Sequence, residues 1–282
     1  MTVVANGGNA VSKAEEYYDS KDADEFYFYI WGGEHIHVGL YNYDSEPIKY
    51  ASQRIVPKMA SLVDTDVHKK ILDLGSGYGG GARYLARNFG CRVTCLNLSQ
   101  RQNERNEAFN REHRLDHLIE VVHGSFEDIP LEDESFDLVW SQDAIVHSAK
   151  RAQVVAEVGR VLKSGGAFIF TDLMQDEDLP EGVLQPVLDR IHLDSLGSLE
   201  FYWREGRKND LDLIHWQNLS GHLTLHYERV RQETENRYQE VVSRCGKEYV
   251  DRMVKGLNHW VSAGRNGHLN WGIMQFQKNG VA

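Results

Sequence analysis

The residues Lys70-Ile71-Leu72-Asp73-Leu74-Gly75-Ser76-Gly77-Tyr78-Gly79-Gly80-Gly81 decide the fold. Ile71, Leu72 and Leu74 form an apolar run of strand length, too short for a helix. The run breaks at Gly75, and beyond Gly81 the spacing of Ala82, Leu85, Ala86 and Phe89 turns helical. A strand passing through glycines into a helix lets backbone come close to a ligand, and the helix N-terminus aims its donors there.

Gly75, Gly77 and Gly80 satisfy Gly-x-Gly-x-x-Gly, which raises a dinucleotide site. Two residues argue against one. Asp73, at the carboxyl edge of the strand, would repel a pyrophosphate and attract an amine. The position that grips a ribose carries Asn97 where a dinucleotide enzyme has Asp or Glu. S-adenosylmethionine has an ammonium, a ribose and an adenine but no phosphate, and it fits better. A nicotinamide dehydrogenase and a ligand-free glycine turn are the alternatives.

Outward from this stretch, strands are expected at Arg92–Leu98, Ile119–His123, Phe136–Ser141 and Ala167–Asp172. Helices are expected between them at Gln100–Arg114, capped by Ser99, and at Gln153–Leu162, stopped by Lys163–Gly166. The first of these is polar throughout and reads as a surface helix. Alternation of this kind implies an α/β fold, a doubly wound, mostly parallel sheet whose ligands gather beyond the carboxyl ends of its strands. Asp73, Asn97, Ser125, Gln142 and Asp172 all fall there. Further on, helices are expected at Val183–Leu196 (carrying Arg190 and His192) and at Leu199–Arg207. A sixth strand at Leu213–Gln217 is followed by helices His222–Arg244 and Glu248–Ala263, and a seventh strand at Leu269–Gln277. Upstream lie helical stretches at Lys13–Tyr29 and at Tyr50–Val63, the latter interrupted by Pro57.

A chain of 282 residues can bury one large core with a cap. Its formal net charge of −11 and lack of a basic block argue against a nucleic-acid partner. Cys91, Cys95 and Cys245 have no metal-like spacing, which points to a reducing cytoplasm and no metal. No long apolar span or signal peptide is seen, so no membrane partner is expected, and Met1–Ala10 reads as a loose tail. A monomer or homodimer binding a small molecule is the expectation.

Between Tyr17 and Tyr43 the aromatic density is high: Tyr18, Phe26, Tyr27, Phe28, Tyr29, Trp31 and Tyr41. These rings suit either a hydrophobic cap or a cage around a cationic ligand. Gly32, Gly33 and Gly39 supply loops for a lid. His147 lies one helical turn beyond Asp143, which would put both on one face if a helix begins at Gln142; it is either a base or a structural histidine. His35 and His37 flank the aromatic segment and could instead shape the pocket. Arg190 sits in an otherwise apolar helix, able to grip a carboxylate or to pair with Asp189 or Asp194. No Cys nucleophile or Ser/His/Asp arrangement stands out.

The glycine motif resembles motif I of the class I S-adenosylmethionine-dependent methyltransferases. By that resemblance Asp73, Gly75 and Gly77, with Ser76 between them, line the methionine half of the cofactor. Asn97 reaches the ribose, with Leu98 and Gln102 beside it, although the family more often carries an acid at Asn97. Ser125 and Phe126 meet adenine, Phe126 being equally suited to packing, and Gln142 and Asp143 complete the cofactor set.

The segment Tyr17-Tyr18-Asp19 through Phe26–Tyr41 resembles the sarcosine/dimethylglycine N-methyltransferases, the late enzymes of glycine-betaine synthesis. The likeness continues through Trp140-Ser141-Gln142-Asp143-Ala144, His147-Ser148, Gln185–Ile191, His259-Trp260 and Trp271-Gly272. It implies a Rossmann-like seven-stranded core at 65–282, with cap insertions around 174–208 and 219–264, beneath an N-terminal lid at 1–64. It also implies an amine acceptor methylated on nitrogen, bound by Tyr18, Trp31, His147, Arg190 and Tyr202, with His147 as the catalytic group that receives the proton. A tocopherol-type C-methyltransferase shares the Trp-Gly-Glu segment, so methylation of a larger apolar molecule is the alternative, beside a non-catalytic cofactor-binding module.

Overall fold

The computed structural model describes residues 20–191 and 193–280. Two helices, α1 (Lys21–Trp31) and α2 (Ile48–Ala60), precede the sheet. The chain then runs β1 (Lys70–Leu74), α3 (Gly80–Phe89), β2 (Arg92–Asn97), α4 (Gln100–Glu112), β3 (Ile119–His123), β4 (Phe136–Gln142), α5 (Arg151–Val161) and β5 (Leu162–Gln175). After β5 come α6 (Gln185–Ile191), α7 (Leu199–Lys208) and β6 (Leu211–Asn218), then α8 (Ser220–Asn236), α9 (Tyr238–Cys245), α10 (Lys247–Arg265) and β7 (Leu269–Lys278).

Ile71, Leu72 and Leu74 are fully buried in β1, which pairs in parallel with β2 and β4. The seven strands are ordered β3-β2-β1-β4-β5-β7-β6, with only β7 antiparallel to its neighbours. A buried parallel sheet needs cover on both faces. Separate apolar clusters supply it: Ile71, Leu85, Trp140 and Trp260 belong to one, and Leu72, Val139, Val158 and Phe170 to the other. From β1 the chain winds one way and from β4 the other, so the crevice beyond their carboxyl ends is a topological switch point.

A third cluster caps that crevice. Phe26, Ile30 and Trp31 of α1 pack against Val230 of α8, Val241 of α9 and Val250 and Leu257 of α10. Polar clasps tie the same N-terminal segment to the glycine loop. Tyr78 Oη donates to Asp24 Oδ1 at 2.7 Å, and Arg105 of α4 pairs with Asp24 at 2.6 Å. Arg83 of α3, almost wholly buried, donates to Glu34, Asn106 and Asn110.

Several elements differ from expectation. The stretch Lys163–Gly166, read as a helix stop, opens β5, where Gly165 takes φ +72° and the register with β4 shifts. The span His222–Arg244 is two helices with a break at Arg237, so three helices separate β6 from β7. The helix bearing Arg190 spans only Gln185–Ile191, and His192 lies outside the described residues. Pro57 sits inside α2, one turn from its end, without breaking it. Among the described residues no helix is long and apolar enough to cross a membrane.

Candidate active site

Gly75, Gly77 and Gly79 all take left-handed backbone, at φ +66°, +52° and +74°. The loop is pinned to β2 by the Gly75 N–H, which donates to the Leu96 carbonyl at 2.8 Å. A Cβ on Gly75 would stand 2.3 Å from the Ala144 methyl, so no other residue fits that conformation and that space together. Gly77 lies against Ile36, which brings the N-terminal segment directly over the loop.

The Asp73 carboxyl is buried just below this loop, and burial raises its pKa to about 7 although Arg83 pulls the other way. Beside it, Gln142 accepts from Trp140 Nε1 at 3.1 Å while its own amide Nε2 is buried with no partner among the described residues. A carboxylate poised to ionise and an orphaned amide donor complement an amino-acid zwitterion, the ammonium on Asp73 and the carboxylate on Gln142. Asp73, Ser76, Gly77 and Gln142 line a small recess that shares Gly75, Gly77, Ile36, His37 and Gln142 with the main cavity. That cavity has a volume of about 150 Å³.

Along its floor lie Asn97, Leu98, Gln102, Ser125 and Phe126. Asn97 spends its amide donor on Gln102 Oε1 at 3.1 Å, which leaves its carbonyl as the group for a hydroxyl. Ser99 caps α4 by accepting from the Gln102 N–H.

The opposite end is walled by aromatic rings from three separate helices: Tyr27 and Trp31 of α1, Tyr227 of α8 and Trp260 of α10. Tyr27 and Trp31 have centroids 4.9 Å apart, and Tyr227 stacks on Trp260 at 4.7 Å. Arg190 and His147 line this end. The Arg190 side chain crosses Gly256 of α10, where a Cβ would come within 2.3 Å of its Cδ. That places the arginine one helical turn from Trp260. The pKa of His147 is lowered to about 4, by burial first and then by Arg151 and Arg190, so the ring is uncharged at neutral pH.

A family model described as a methyltransferase domain matches residues 72–170, the span from β1 into β5. A curated protein of Halorhodospira halochloris, named sarcosine/dimethylglycine N-methyltransferase, is 52% identical over 95% of this chain and 97% of its own length. The chain belongs to the sarcosine/dimethylglycine N-methyltransferase family. The dimethylglycine N-methyltransferase of Parasynechococcus marenigrum is 46% identical over 98% of the chain and 99% of its own length. A crystal structure from Galdieria sulphuraria, provisionally assigned as a sarcosine dimethylglycine methyltransferase, superposes with a TM-score of 0.89. It is 42% identical and covers 94% of this chain and 100% of its own.

In this N-methyltransferase the cofactor residues expected from sequence converge on the cavity or its recess, with one qualification. Asp143 lines the cavity, but its carboxylate is committed elsewhere: Oδ2 accepts from the Val38 N–H and Oδ1 from Trp271 Nε1, both at 2.7 Å. It clasps the N-terminal segment to β7. Asp143 also takes φ +51° and is followed by a 3₁₀ turn, Ile145–His147, so it shares no helical face with His147. Asp172 supports that turn by accepting from the Val146 N–H at 2.9 Å.

Tyr202 is a correction. It does not line the acceptor end; α7 packs behind the sheet, where Tyr202 meets Phe170 edge-on at 5.0 Å and donates its hydroxyl to Asp172. Tyr18 lies outside the described residues. Asp189, considered as a partner for Arg190, accepts instead from Gln185 at 2.6 Å. His226, Tyr227 and Glu127 also line the cavity and were not singled out from sequence. Trp260 appeared there only within the family resemblance. The signal available was the i, i+1 pair of rings in α8, which a polar helical pattern conceals.

Proposed function

We propose that the protein transfers methyl groups from S-adenosylmethionine to the nitrogen of sarcosine and dimethylglycine, forming dimethylglycine and glycine betaine. The observation that carries this reading is a cavity walled by aromatic rings and an arginine, adjoined at the glycine loop by a recess lined by Asp73 and Gln142. The names of relatives aligned over almost the whole chain point the same way. The three cysteines are free buried thiols, in keeping with a reducing cytoplasm as the site of action.

When bound, S-adenosylmethionine supplies a sulfonium methyl that passes to a lone pair by in-line displacement. Asp73 and Gln142 hold the methionine moiety, Asn97 the ribose, and Ser125 with Phe126 the adenine. The rings of Tyr27, Trp31, Tyr227 and Trp260 offer their faces to a methylated nitrogen, whose charge grows as the fourth bond forms. Arg190 holds the acceptor carboxylate. The 20–64 segment, clasped by Asp24, Glu34 and Asp143, acts as a lid that excludes water.

The acceptor must present a lone pair. An alkylammonium with a pKa of about 10 holds its proton far more firmly than an imidazole at about 4, an uphill transfer of about 8 kcal/mol. The amine therefore enters as the free base. Uncharged His147 then orients the nitrogen, and its own affinity for a proton rises once a carboxylate offsets the Arg190 charge.

Incubating the protein with methyl-labelled S-adenosylmethionine and each acceptor in turn tests the reading. Label in dimethylglycine and betaine is expected. Label appearing only in a bulky apolar acceptor would transfer the assignment to carbon or oxygen methylation, and cofactor binding without any turnover would leave a binding module.

A further inference from the structure

Three ring nitrogens on the acceptor side have no partner among the described residues: Trp31 Nε1, Trp260 Nε1 and His226 Nε2. All three residues are buried, and all three line the main cavity. Buried polar groups in native proteins are nearly always paired, by protein, water or ligand, so orphaned ring nitrogens on residues lining one cavity are groups that a ligand there can complete.

The orphans share one character. An indole N–H can only donate. On the other side of the imidazole, Nδ1 lies 2.9 Å from the Tyr41 hydroxyl, a group able to set the same sense. Burial raises the pKa of Tyr41, so the phenol keeps its proton; when it donates that proton to Nδ1, the ring hydrogen sits on Nε2. Burial, with His37 nearby, holds the His226 pKa near 3, so the ring is neutral and carries a single hydrogen. His226 and Trp31 are in ring contact at 5.5 Å, and Tyr227, the next residue, stacks on Trp260. Donors alone, on the edges of the rings, call for a group that only accepts.

We propose that the acceptor carboxylate is received by the Nε2–H of His226, flanked by the indole N–H groups of Trp31 and Trp260, with Tyr41 as the positioning residue that fixes the imidazole tautomer. The ring faces then meet the methylated nitrogen and the ring edges meet the carboxylate, with Arg190 supplying the countercharge. The same donors select acceptors that bear a carboxylate over amines of equal size that do not. This inference deepens the N-methylation reading and rests on it.

The test compares dimethylglycine with N,N-dimethylethanolamine, which carries an uncharged hydroxyl in place of the carboxylate, in wild type, His226→Phe, His226→Gln and Tyr41→Phe. His226→Phe is expected to lower the preference for dimethylglycine in kcat/KM at least tenfold, with affinity for S-adenosylhomocysteine unchanged. His226→Gln, which restores an N–H donor, recovers part of the preference, and Tyr41→Phe loses a severalfold share. A His226→Phe preference equal to wild type, or an equal loss on both acceptors in all three variants, overturns the proposal. Calorimetric titration of dimethylglycine into the protein saturated with S-adenosylhomocysteine separates the two readings. Carboxylate binding that depends on His226 without turnover sustains this site and removes the N-methylation reading. Turnover with an unaltered preference does the reverse, and absence of both removes both. Should His226→Phe fail to fold, His226→Gln and Tyr41→Phe give the same comparison.

Discussion

Replacing Asp73 by Asn removes a charge and leaves the shape, and its effects on binding and on stability should run in opposite directions. Burial raises the Asp73 pKa from 3.8 to about 7 in the ligand-free protein. An ammonium binds the ionised form, so S-adenosylhomocysteine should bind wild type about tenfold more tightly at pH 8 than at pH 6. Loss of a hydrogen bond to a charged partner is worth about 1.5–3 kcal/mol, so Asp73→Asn should bind about 10- to 150-fold more weakly at pH 8. Its affinity should also lose the pH slope. Because the folded pKa is raised, the carboxyl favours the folded state most below about pH 4, and that contribution is lost as pH rises through 7. The loss is about 4 kcal/mol across that window. Unliganded Asp73→Asn, neutral throughout, should therefore melt several degrees above wild type at pH 8 and level with it near pH 4. Calorimetry and thermal melts read both effects. Wild-type affinity in the variant, or a wild-type affinity flat from pH 6 to 8, would refute the reasoning.

Gly75→Ala should abolish cofactor binding or prevent folding, since the new methyl would meet Ala144 at 2.3 Å on a backbone of φ +66°; soluble expression followed by calorimetry checks this. Arg190→Ala should raise the KM for dimethylglycine by about 10- to 100-fold with S-adenosylhomocysteine affinity within twofold; an unchanged KM would remove the carboxylate role. With the methyl donor saturating, kcat/KM for dimethylglycine should climb steadily from pH 7 to 9 as free amine accumulates. No inflection should appear near 6.5, because His147 titrates at about 4.

Much of this was legible in sequence because local chemistry and tertiary role coincide. The Lys70–Gly81 stretch combines a strand, obligatory glycines and a small-residue helix start, and each demand leaves a mark. Asn97 and Gln142 fall at strand ends, where the topology alone delivers them to the crevice. Elsewhere packing overrode pattern. The polar helix α4 read as surface, yet Asn106 and Asn110 are buried to receive Arg83, a partner that a polar pattern does not announce. The break at Arg237 carries no glycine or proline. Tyr202 lies on a helix rich in aromatics, as Trp31 does, but α7 covers the far face of the sheet and α1 covers the crevice. Asp143 lines the cavity as expected, but its clasp on Val38 and Trp271 was not legible, because those partners are 105 and 128 residues away.

A crystal structure with S-adenosylhomocysteine and dimethylglycine bound together tests most directly whether one cavity serves both molecules. The homocysteine ammonium should lie within hydrogen-bond distance of Asp73, and the dimethylglycine nitrogen should face the sulfur among Trp31, Tyr227 and Trp260. An acceptor found outside that aromatic wall, or an ammonium turned away from Asp73, would contradict the account.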